Sequence, residues 1–294
     1  FFKKISLKEK ENNFLISNLS VGKNLKIHGF RNIELTYKDK DSLINKIDIK
    51  KKKNYYSLSG ESLNLSHIVN EFLKFDKNKD KKDLFNKGLK FKIDIQKSYL
   101  DKNSVMNNLK GDIFFKDNEI LNAQLQSTFI NQKKFLFSVK SDKNEKITTL
   151  FSEYPKPLVD NYKFIKGFEK GVLDFYSIKK NGVSKSVLII DNFKLKEVPI
   201  LAKILTLASL QGIADLLTGE GIRFTDFEMK FTNNKSLMTI DELYAIGPAI
   251  SILLEGYIES KNLISLRGTL VPATTINRTI ASIPLIGDIL VGKK

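Results

Sequence analysis

Phe91-Lys92-Ile93-Asp94-Ile95 decides the fold class, because its apolar and polar side chains alternate with a period of two. Successive side chains on a strand point to opposite faces, so this pentapeptide makes one apolar and one polar face. A helix would scatter the same residues around its axis. The pattern recurs in Leu25-Lys26-Ile27-His28, Ile33-Glu34-Leu35-Thr36-Tyr37 and Ile44-Asn45-Lys46-Ile47-Asp48-Ile49. Each reads as a half-buried antiparallel strand. The connectors are short and rich in Asn, Asp, Lys, Ser and Gly, as in Tyr37-Lys38-Asp39-Lys40-Asp41-Ser42 and Phe115-Lys116-Asp117-Asn118-Glu119, which suits hairpin turns. The expected architecture is a meander of strands over residues 14–60 and 88–150, punctuated by short helices at 66–75 and 156–166.

Residues 198–217 change character. Pro199 near the start, Gly219 just past the end and helical spacing between them predict an apolar helix about 30 Å long. Lys203 and Asp215 are costly in hydrocarbon, so the helix is expected to pack on a sheet or lie at an interface rather than span a bilayer. A second apolar helix is expected at 275–283, kinked or ended by Pro284 and continuing as Leu285-Ile286-Gly287-Asp288-Ile289-Leu290. Between the two lie strands at 222–231, 237–246, 249–258 and 263–271. Ile222 and Phe224 have one parity and Phe227, Met229 and Phe231 the other. A bulge near Thr225 or Asp226 would bring all five to one side. The expected fold class is therefore mainly β with a few α-helices: an elongated, curved antiparallel sheet forming an apolar groove, with two apolar helices near its C-terminal end. Residues 1–146 read as lysine-rich β-meander repeats with a short helix, and 147–294 as a helix–strands–helix region.

Enzyme chemistry finds little to stand on. Cysteine is absent, which removes thiolate metal sites, thiol nucleophiles and disulfides. His28 and His67 are the only histidines and have no metal-ligand spacing. Adjacent Asp241 and Glu242 would point to opposite faces of a strand. Gly287 to Lys293 matches the glycine and lysine positions of a phosphate loop but is followed by Lys294, not by Ser or Thr. No serine sits in a Gly-x-Ser-x-Gly elbow. No catalytic residue, metal or cofactor is expected.

The net charge of +16 invites a nucleic-acid reading, but its distribution opposes one. From Glu197 onward nine Lys/Arg face ten Asp/Glu, which leaves 40 against 23, a net +17, in residues 1–196. Arginine, the better bidentate partner of phosphate and guanine, occurs only at Arg31, Arg223, Arg267 and Arg278. Lysines interspersed with acids and asparagines suit the solvent face of strands, where they oppose edge-to-edge aggregation.

From about Ile147, and above all from Phe193, an ordered series of motifs appears. It runs from Phe193-Lys194-Leu195-Lys196-Glu197-Val198-Pro199 through Gly219-Glu220-Gly221-Ile222-Arg223-Phe224, Ile246-Gly247-Pro248-Ala249, Leu254-Glu255-Gly256-Tyr257-Ile258 and Gly268-Thr269-Leu270-Val271-Pro272 to Ile283-Pro284-Leu285-Ile286-Gly287-Asp288. In order and spacing this series resembles the C-terminal region of AsmA-like envelope proteins, in the YhdP-like branch. The resemblance implies a protein that carries phospholipid between the bacterial inner and outer membranes along a hydrophobic β-groove, without making or breaking bonds. It implies a periplasmic location, with an inner-membrane anchor in an N-terminal segment not included in this sequence, and contacts with phospholipid, with both membranes and with other envelope proteins. Ile222, Phe224, Phe227, Met229, Phe231, Leu237, Ile240, Ile250, Ile252 and Leu254 are the expected groove residues. Leu201, Ile204, Leu205, Leu207, Ile283, Leu285 and Ile286 are the expected contacts with a membrane or the groove mouth; burial of both helices as ordinary core is the other reading. The alternative function is a structural or assembly scaffold for the outer membrane that conducts no lipid.

Overall fold

The computed structural model describes residues 1–23, 25–66, 88–117, 119–160, 166–197, 221–234, 236–248, 250–259 and 263–272. Seventeen strands, one single-turn α-helix and one short 3-10 turn make up the regular structure among them. The chain forms two compact units, Phe1–Pro157 with Tyr176–Asn181, and Leu158–Phe175 with Gly182–Lys294. The sequence placed the corresponding division at 146/147.

The first unit holds β1 (Phe2–Glu9), β2 (Asn12–Val21), β3 (Ile27–Gly29), β4 (Asn32–Lys38), β5 (Ile44–Lys51), β6 (Tyr56–Asn64), β7 (Leu89–Tyr99), β8 (Val105–Lys116), β9 (Glu119–Phe129), β10 (Lys134–Asp142) and β11 (Glu145–Ser152). Pairing follows chain order, with β2 joined to both short β3 and β4. One step departs from the expected meander: β6 and β7 are parallel, Tyr56 opposite Phe91 and Asn64 opposite Tyr99. Parallel neighbours need a crossover of a dozen or more residues, and 65–88 supplies one.

Alternation does what the sequence requires of it. On β7, Leu89 and Ile95 are buried while Lys90, Lys92 and Asp94 are exposed. Ile16, Phe30, Tyr56 and Leu89 form one buried cluster of the inner face, and Ile47, Ile95 and Leu109 another. Full burial of such side chains contributes about 1.5–3 kcal/mol each. The β4–β5 turn is closed by Asp39, whose carboxylate accepts from the N–H groups of Asp41 (2.9 Å) and Leu43 (3.0 Å) and from Nδ2 of Asn45 (3.3 Å) and Asn64 (2.6 Å). Burial works against its charge, but the hydrogen bonds from Asn64, Leu43, Asn45 and Asp41 outweigh it and hold the carboxyl below the ordinary range.

Helix α1 (Lys156–Val159) is a single turn at the start of the span expected to be helical, and strand resumes at Lys166. The other expected helices, 66–75 apart from Ser66, 198–217 and 275–290, lie outside the described residues. After α1 come β12 (Lys166–Lys180), β13 (Val183–Glu197), β14 (Ile222–Asn234), β15 (Leu237–Ile246), β16 (Ile250–Glu259) and β17 (Ile264–Pro272). From β13 to β17 each strand pairs antiparallel with the next. Two glycines answer to close approach. Gly221 has φ +80° and a Cβ there would strike the Leu195 carbonyl; Gly268, inside β17 rather than at a turn, lies against the Leu253 carbonyl.

Candidate functional site

The inner face of the second unit is built around an aromatic ladder. Phe193 stacks on Phe168 at 5.4 Å and on Phe224 at 5.3 Å between ring centroids, and meets the edge of Phe227 at 6.1 Å. Phe168, Phe193 and Phe224 are all buried. Phe224 and Phe227 differ in parity, yet both reach Phe193, and the two residues between them, Thr225 and Asp226, are both exposed. The inward parity changes here as expected, but no bulge produces it, because the register with β13 runs through Thr225 and Asp226 without a shift.

It does not occur alone. On β13 the inward residues change from Ile190 to Phe193 across Asn192, whose φ is +52°. On β12 they change from Phe168 to Leu173 across Lys170 (φ +63°) and Gly171 (φ +85°). Because β13 and β14 switch together, Ile190 still opposes Phe227 and Phe193 still opposes Phe224. The ladder passes through the switch without losing register.

Farther along, Phe231, Met238 and Ile240 form a buried cluster with Phe175, Leu188, Met229, Leu243 and Ile258 packed against it. Ile222 and Ile250 are also buried, and Ile252 and Leu254 half-buried on the same side of β16. Leu237 does not join them: it is exposed, and its neighbour Met238 takes the buried position. The reason is a bulge at Asp241, which shifts register between Lys230 and Phe231 on the partner strand. The parity of β15 before that bulge is the reverse of the parity after it. The same bulge corrects the reading of Asp241 and Glu242 as pointing to opposite faces. Both stand on the polar face, where Asp241 accepts from Thr232 (2.9 Å) and Glu242 from Lys230 (2.9 Å). Lys230 also reaches Glu228 (2.9 Å), to which the Tyr244 hydroxyl donates (2.8 Å). The hydrogen bonds to Glu228 and Glu242 raise the Lys230 ammonium, and those from Lys230 and Tyr244 lower the Glu228 carboxyl.

The inner face is most exposed at the Ile264–Leu266 end of β17, while Leu270 farther along that strand is half-buried. Ile250 is 0% exposed, while Ile264 and Leu266, on the same face, are 55% and 42% exposed. Register ties these residues together: Ile252 opposes Leu270, Gly256 opposes Leu266, and Ile258 opposes Ile264. The exposed apolar residues of β17 are a part of this face that the groove positions expected from the sequence missed, although the alternation in Ile264-Ser265-Leu266-Arg267 carries the signal.

No family model, curated protein or solved structure matches this chain. The expected contacts Leu201, Ile204, Leu205, Leu207, Ile283, Leu285 and Ile286, together with His67, lie outside the described residues. His28 is exposed on β3. Among the described residues no three His, Asp or Glu side chains gather as metal ligands, and no helix is long and apolar enough to cross a membrane.

Proposed function

We propose that the protein is a non-enzymatic lipid-handling protein of the bacterial envelope, in which phospholipid acyl chains lie in an apolar groove along the inner face on their way between the inner and outer membranes. The observation that carries this reading is the rise in exposure from Ile250 through Ile252, Leu254 and Ile258 to Ile264 and Leu266. Each Å² of apolar surface left in water costs about 25 cal/mol, and an acyl chain laid along the strip would remove that cost. The apolar segments at 198–217 and 275–290 would form the mouth where lipid enters or leaves. The resemblance to AsmA-like proteins supports a periplasmic setting and contacts with other envelope proteins.

A specific observation favours the scaffold alternative. Phe168, Phe193 and Phe224 are packed against one another, which leaves that part of the face without room for a lipid chain. Lipid would then occupy only the β16–β17 end, or none of it.

Transfer of fluorescent phospholipid between vesicles separates the two. Ile264→Glu with Leu266→Glu places two charges on the exposed strip and is expected to abolish transfer. Leu253→Glu with Tyr257→Glu changes two exposed residues on the other face of β16 and is expected to leave transfer intact. Equal transfer by wild type and both variants, or none by wild type, refutes lipid conduction and leaves the scaffold.

A further inference from the structure

The polar face of the first unit carries a depression of about 670 Å³, lined by Asn54 and Tyr55 in the β5–β6 turn and by residues of β7, β8, β9 and β10. That size falls within the range of small-ligand sites. Two cross-strand rows build its floor. In one, Lys92 opposes Asp112, Asp112 opposes Gln124, and Gln124 opposes Ser138. In the other, Lys90 opposes Phe114, Phe114 opposes Asn122, and Asn122 opposes Lys140. With neighbouring strands about 4.8 Å apart, each row spans roughly 14 Å.

The charges around it are unbalanced. Lys90 and Lys92 lie over aromatic rings, Phe114 at 5.8 Å and Tyr55 at 5.0 Å, and among the described residues neither they nor Lys140 makes an ion pair. Lys52 and Lys53 stand exposed in the same turn, where the Lys52 N–H donates to the Tyr55 carbonyl (2.8 Å). Asp112 is the one carboxylate among the lining residues. Elsewhere on the polar face of this unit Lys46 pairs with Glu61 and Lys110 with Asp94. A lysine ammonium is a flexible point charge suited to phosphate, while the amides of Asn54, Asn122 and Gln124 offer both donors and acceptors to hydroxyl groups.

We propose that this depression binds a phosphorylated polyol, its phosphate beside Lys90 and Lys92 and its hydroxyl groups along the amide floor toward Lys140. The site is on the face opposite the apolar one, so it stands or falls independently of acyl-chain binding. Such a group could come from a soluble phosphate ester or from the headgroup of a phospholipid.

The test is titration of the intact chain with glycerol 1-phosphate, with glycerol as the neutral control. Expected are saturable binding of the phosphate ester, none of glycerol, and a loss of about fivefold or more in Lys92→Gln with Lys140→Gln. Lys143→Gln, in the turn after β10, removes the same kind of charge outside the depression and should change nothing. Phosphatidylglycerol vesicles then identify the source: binding that glycerol 1-phosphate competes away assigns the headgroup, and binding of the soluble ester alone assigns a free ligand. The proposal is overturned by no saturable binding of either, by equal loss in Lys143→Gln, or by preferential retention of duplex DNA through Lys92 and Lys140.

Discussion

Replacing Phe193 with Ala tests whether the second unit is organised around its aromatic ladder. The ring is 4% exposed, so nearly all of its surface is removed from water. Phe→Ala at such a site costs about 3–5 kcal/mol. Phe193 sits between two stacked rings and against the edge of a third, and aromatic pairs contribute about 0.5–1.5 kcal/mol each beyond burial, which places the cost near 4–5 kcal/mol. Phe231, 7% exposed and with one ring partner at 6.5 Å, sets the comparison at about 3 kcal/mol. For a chain of 294 residues a kcal/mol moves the melting temperature by about 1.6 °C, so Phe193→Ala should lower it by about 6–8 °C and Phe231→Ala by about 5 °C. The chain has no tryptophan, and far-ultraviolet circular dichroism is the suitable probe. A drop below about 3 °C for Phe193→Ala, or a larger one for Phe231→Ala, would refute the ladder as the organising core.

Acid sensitivity should trace in part to the β4–β5 turn. The folded Asp39 carboxyl is held below its unfolded value near 3.9, so the stability it contributes is complete above that value and disappears as pH falls through the folded one. Asp39→Asn should therefore be less stable than wild type at pH 7, with the gap closing between about pH 5 and 2 in parallel denaturant titrations. Gly268→Ala sets a Cβ against the Leu253 carbonyl and should destabilise by more than about 1 kcal/mol; an unchanged melting temperature would mean that β16 and β17 do not approach as described.

The strand content was legible because alternation is a local signal that needs no knowledge of partners. The change of face at Thr225–Asp226 was legible too, since five large apolar residues of mixed parity on one short strand have to be reconciled, but it is met by a matched change on β13 and not by the expected bulge. What escaped depends on pairing. Leu237 and Met238 are both apolar, and only the register shift at Asp241 decides which of them is buried. The parallel β6–β7 step leaves no mark in the alternation of either strand. The lysine depression draws on Tyr55, Lys92, Gln124 and Lys140, which no local pattern groups together.

The matched switches of β12, β13 and β14 constrain how this protein can vary. Deleting Asn192 alone would turn Phe193 and Leu195 outward and put their polar neighbours among the rings, whereas the same loss made in all three strands would preserve the ladder in a shorter sheet. Length changes at this level are therefore viable only as coordinated sets, and the unit on which selection acts here is the row across strands.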